Sequence, residues 1–159
     1  MRRRPLAGPV LGTLLTSALL LAGCGGDEVD PKVAYVEQAT GVCDEAQRAF
    51  EALATPTTPE GFAPYANDLV GILETAQTEL TGLTPPPDDR AELESRVLEP
   101  FGEVVEEGKA FAAEVEAAGT DQAALLALIG QRPSAAGVDT EYLRTYGLPT
   151  CADAIEQAG

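Results

Sequence analysis

DDRAELESRVLEPFGEVVEEGKAFAAEVEAA, residues 88–118, is the stretch that decides the fold. Val97, Phe101, Val104, Gly108, Phe111 and Val115 recur at alternating steps of four and three, a seven-residue repeat that an α-helix turns to one side. Asp88 is the expected cap of this helix and Gly119 its stop. Pro100 stands inside it with no N–H to offer the carbonyl of Arg96. Because the apolar stripe continues in phase across the proline, a kinked single helix is expected rather than two. Glu99, Glu103, Glu106 and Glu107 fill the opposite side; Glu103 and Glu107, four apart, repel mildly, with Arg96 and Lys109 as partial relief. This reads as a solvated acidic face, and a site for a cation or a basic partner is the sharper alternative.

Upstream, Asp30-Pro31 reads as a cap and first helical residue, followed by Val33, Val36, Thr40, Cys43, Phe50 and Leu53 on one stripe. A second helix carries Phe62, Tyr65, Leu69, Ile72, Ala76 and Leu83, with Leu73 and Leu80 widening the stripe, and its Pro64 implies either a start near Gly61 or a first-turn irregularity. Thr84-Pro85-Pro86-Pro87 stops it. Downstream, Thr120 can cap a short helix from Asp121 to about Gln131. Thr140 to Tyr146 forms another, stopped by Gly147, and Thr150 with Asp153 reads as a capping box for a last turn or two. No strand-like alternation appears. The expected fold is all-α, an up-down bundle of three long helices plus a broken fourth, occupying residues 31–159. With no Trp, four Phe and four Tyr, its core rests on Ala, Leu and Val, so close packing through small residues is expected in preference to a large ligand cavity. Gly41, Gly71, Gly102 and Gly108 fall inside helices, at about 1 kcal/mol each relative to Ala. For Gly108, on the packing stripe, close helix approach is the plain reading and a groove for a ligand or partner the sharper one.

The first residues have a different character. Arg2, Arg3 and Arg4 precede an apolar run from Val10 to Ala22, which ends in Leu21-Ala22-Gly23-Cys24. The run is shorter than the ~20 apolar residues of a membrane span and has the three-part layout of a secretory signal. Leu21 and Gly23, placed three and one residues before Cys24, resemble the lipobox of bacterial lipoproteins. That resemblance implies a diacylglyceryl group on the Cys24 sulfur and a cut just before it. Residues 1–23 are then a lipoprotein signal peptide, and 24–30 a lipidated N-terminus and flexible tether. The expected location is extracytoplasmic, lipid-anchored to the outer face of the cell membrane.

In such an oxidising setting, with Cys24 used for lipid, Cys43 and Cys151 are left for one disulfide. Cys43 lies on an apolar stripe, where a structural bridge fits better than a reactive thiol. Cys43, the connector Leu80-Thr81-Gly82-Leu83-Thr84-Pro85-Pro86 and the terminal Tyr146-Gly147-Leu148-Pro149-Thr150-Cys151 are similar to the small secreted helical lipoproteins of high-GC Gram-positive bacteria. The likeness implies the fold and the disulfide and carries no activity with it.

Residues 24–159 hold 26 acidic against seven basic side chains, a formal −19. Nucleic acid is excluded as a natural partner, because phosphate attraction needs a basic surface. The absence of histidine removes Ser-His-Asp and Cys-His catalysis and His-ligated zinc or haem. No catalytic, cofactor-binding or metal-ligating residue is assigned. Tyr35, Tyr142 and Tyr146 are the expected exposed contact residues, with rim packing as the alternative. The functional expectation is a non-enzymatic binding or scaffold module near the membrane, with an unidentified protein or small-ligand partner. Capture of a ligand or cation for a membrane partner is the alternative.

Overall fold

The computed structural model describes residues 29–158, and every regular element among them is helical. α1 (Pro31–Ala52) begins where the Asp30 carboxylate accepts the N–H of Lys32 at 2.8 Å, with Pro31 at the position that needs no N–H. A 3-10 turn, Pro59–Gly61, leads into α2 (Phe62–Gly82). α3 is a continuous rod of three parts: Arg90–Leu93, a π-helical turn Glu94–Leu98, and Glu99–Ala118. Then come α4 (Gln122–Ile129), a 3-10 turn Ala135–Gly137, α5 (Thr140–Tyr146) and α6 (Pro149–Ala158). Lys32, at the start of α1, lies 3.9 Å from Asp89 at the start of α3, so both helices begin at one end and α2 returns between them. α2 packs on both neighbours and α6 packs on α1, which gives the up-down bundle.

Pro100 produces the π turn ahead of it. In an unbroken α-helix the Arg96 carbonyl would face the proline nitrogen. Here the N–H of Glu99 reaches back to the Glu94 carbonyl, and the Arg96 carbonyl accepts from the N–H of Asp139 at 3.1 Å. The Arg96 guanidinium meets the same residue, its Nη2 2.6 Å from Asp139 Oδ2. Asp139 Oδ1 in turn caps α5 by accepting the N–H of Tyr142 at 2.8 Å. The π turn of α3 is therefore where the C-terminal segment docks.

The buried side chains form two clusters. The larger joins Ala39, Leu93, Val97, Phe101, Val105, Leu143 and Ile155 around the Cys43–Cys151 disulfide, whose Cα atoms are 5.0 Å apart. The smaller joins Ala66, Ala112, Val115 and Leu125 under Phe62, Val70, Phe111 and Leu128. Residues 29–158 thus hold two clusters of buried side chains and a disulfide that joins α1 to α6.

Several expected boundaries shift. α3 starts at Arg90, and neither Asp88 nor Asp89 caps it with its side chain; Asp89 instead accepts the Tyr146 hydroxyl at 2.8 Å. Asp121 rather than Thr120 caps α4, accepting from Ala123 and Ala124 at 2.9 and 3.1 Å. The capping box at Thr150 does not form, because α6 begins at Pro149 and Asp153 is drawn to Arg144 at 2.9 Å. On α1 the inward line is Tyr35, Ala39 and Cys43, so Val33 is left 58% exposed. A Cβ at Gly108 would lie 3.5 Å from Val70 Cγ2, the expected close approach of α3 to α2. Gly41 and Gly71 have nothing within 4 Å of that position, so packing does not explain them.

Candidate functional site

Where the smaller cluster meets the larger, the helices leave an apolar groove of about 460 Å³. α2 contributes Phe62, Tyr65, Leu69 and Leu73, one side of a helix at three- and four-residue steps. α3 contributes Val104, Gly108 and Phe111, and α4 contributes Leu125, Leu128 and Ile129. Glu51, Arg132 and Gln157 add the charged and amide groups. The groove departs from the expected close packing, and the cause is α4. With eight residues and one buried side chain, Leu125, it covers the seam between α2 and α3 incompletely, leaving Leu126 62% and Ile129 44% exposed. Gly108, with no side chain to fill the space, lines the groove as well as letting α2 approach.

Two other hollows differ in kind. A cavity of about 40 Å³ beside the disulfide, lined by Leu73, Val97, Phe101 and other apolar groups, is a packing void. Between α1 and α2 a furrow of about 520 Å³ lies broadly open to solvent, with Glu45, Asp68 and Glu79 on it.

The tyrosines are not exposed contact residues. Tyr35 is 3% and Tyr146 7% exposed, and Tyr142 is half-buried. They stack in a chain, Tyr35 edge-on to Tyr146 at 6.2 Å and Tyr146 to Tyr142 at 5.5 Å, with Lys32 over the Tyr146 ring and Arg96 over the Tyr142 ring. Burial pushes the phenol pKa of Tyr35 up, and burial together with the Asp89 carboxylate pushes that of Tyr146 up further. The Tyr142 N–H and then the Arg96 guanidinium hold the Asp139 carboxyl below its ordinary range. These groups fasten α5 to α1 and α3 and face no groove.

On α3, Lys109 binds Glu106 at 2.8 Å and Glu74 of α2 at 2.9 Å, whereas Arg96 is turned away to Asp139 and Glu92. Glu99, Glu103 and Glu107 are exposed. Among the described residues no three His, Cys, Asp or Glu side chains gather to hold a metal ion, and no helix is long and apolar enough to cross a membrane. Cys24, the expected lipid-attachment residue, the expected signal peptide 1–23 and residues 24–28 of the expected tether lie outside the described residues. Searches of protein-family models, curated proteins and solved structures find no match to this chain.

Proposed function

We propose that this chain is a lipid-anchored, extracytoplasmic binding module without catalytic activity, and that the groove between α2, α3 and α4 is where it binds. The observation that carries the binding role is the groove itself. Its volume of about 460 Å³ falls within the ~300–1,000 Å³ range of small-molecule sites, and its lining is apolar with a few polar groups, as such sites are. Between scaffolding and capture, a concave apolar recess favours capture of a small apolar ligand for a membrane partner. Cation capture has no gathered ligand set behind it among the described residues. The address is supported by Leu21-Ala22-Gly23-Cys24 and the leader before it.

Each half has its own test. The Cys24→Ala variant should take up no labelled lipid and leave the signal peptide uncut; membrane partition after normal processing would remove the anchor. Fragment 29–159 should bind the neutral apolar dye Nile red saturably, one per chain, and Leu69→Trp should displace it from the groove. Absence of saturable binding would remove the capture reading.

A further inference from the structure

Acidic residues are spread along the domain with one long gap, and that gap borders the groove. Residues 122–138, which form α4 and the loop after it, are the longest run without an Asp or Glu beyond residue 27, and their one charge is Arg132. Leu125, Leu128, Ile129 and Arg132 from this run all line the groove. Lys32, Arg96, Lys109 and Arg144 are each engaged by carboxylates, while Arg132, like Arg48 and Arg90, has no carboxylate within 4 Å among the described residues; of these three arginines Arg132 is the one that lines the groove. An unneutralised cation in so acidic a domain, set against an apolar recess, is a place where an anion attached to a hydrocarbon fits. Glu51 also lines the groove, where Gln47 donates to it at 3.2 Å.

We propose that the groove takes the tail of a single-chain anionic amphiphile, a fatty-acyl chain whose carboxylate or phosphate head is held at Arg132. The tail runs against Leu69, Phe62 and Phe111, and Ile129, on the lining yet 44% exposed, makes an apolar lip from which it enters. A second copy of this chain fits less well, since two domains of this charge repel. The assignment rests on reading the groove as a binding site and adds the class of ligand.

The test is calorimetric titration of disulfide-intact fragment 29–159, below micelle formation, with laurate, dodecyl phosphate, dodecyl maltoside and butyrate. Laurate stands for a free fatty acid and dodecyl phosphate for a lysophospholipid head, so their ranking separates the two sources. Both should bind one per chain and tighter than the neutral maltoside by up to about fivefold, the upper end for an exposed ion pair. Butyrate, with the head and no tail, should not bind. Arg132→Gln should erase the preference for an anionic head, and Arg90→Gln, a cation away from the groove, should leave it intact. Leu69→Trp should weaken all three long-chain probes at least tenfold, with its far-ultraviolet spectrum unchanged. Equal affinity for all heads would overturn the anionic assignment while leaving the groove as a binding site. No binding by any long-chain probe, or self-association in its place, would overturn both.

Discussion

Removing the covalent link is the perturbation whose size the structure sets most directly. Cys43 and Cys151 are 108 residues apart, and in the chain-entropy account a closed loop of about 100 residues restricts the unfolded chain by ~4.7 kcal/mol. Both residues are within 5% of full burial, so replacing them by alanine also removes two interior sulfurs, each comparable to a buried methylene at ~0.8 kcal/mol. The ceiling is therefore ~6 kcal/mol, and native disulfides of this kind usually yield ~2–5. For Cys43→Ala with Cys151→Ala in fragment 29–159 we expect a loss of about 4 kcal/mol, a fall in Tm of roughly 12–20 °C for a domain of this size. Urea unfolding followed by circular dichroism is the assay, with reduced parent protein as a second route to the same state. Because the effect acts largely through the unfolded chain, the slope of the transition should steepen as that chain expands. The reasoning is refuted if the midpoint and slope of both the double variant and the reduced parent match those of the oxidised parent.

Four further outcomes are expected. The Asp139 carboxyl, held down by the Tyr142 N–H and Arg96, and the Glu156 carboxyl, held down by Arg144, stabilise the fold above their unfolded pKa values of ~4; that contribution should fade as pH falls through their lower folded values in a urea series. Tyr146, pushed up by burial and Asp89, contributes the opposite limb: its stabilisation is complete below ~10 and is lost as pH rises, and Tyr146→Phe should flatten that alkaline limb. Val97→Ile places a methyl toward the 40 Å³ cavity beside the disulfide and should raise stability by up to about 1 kcal/mol in the same assay. Hydrogen exchange should be faster for the amides of α4 than for those of α5, because Leu125 is the one buried side chain of α4.

The parts of this fold that were legible beforehand are those written as periodicity and punctuation. The stripe from Val97 to Val115 names the buried face of α3, with Phe111 only half-covered, and Asp30-Pro31 and Gly147 mark helix ends that need a carboxylate cap and a positive φ of 110°. Tyr35 was misplaced because α1 is covered by α5 and α6, elements distant in sequence, and their position selects which line of the helix turns inward. The docking of Asp139 onto Arg96 was out of reach for the same reason, although Pro100 announced a free carbonyl there. The groove was half legible. Gly108 marked a point of missing bulk on the right face, but periodicity assigns residues to a face without saying whether a partner covers it. The acid-free run from 122 to 138 was the other available signal.

The few cations show how the two ends of the molecule divide their work. Lys32 joins α1 to the start of α3, Arg96 joins α3 to the cap of α5, Lys109 joins α3 to α2, and Arg144 joins α5 to α6 through Asp153 and Glu156. Singly, exposed pairs of this kind contribute little. Their placement matters more than their strength, because in an acidic chain each seam closed by a cation also loses a local repulsion between carboxylates. The disulfide sits within the same set of helices, between α1 and α6. Among the described residues no ion pair fastens α4, which is held through Leu125, Leu128 and its Asp121 cap. The helix bordering the groove is thus the one least tied to the rest, so opening the groove for a tail need break no ion pair and no part of the larger core. A recess bordered by a lightly held helix, on a domain stapled elsewhere, can admit a ligand without spending the stability of the fold.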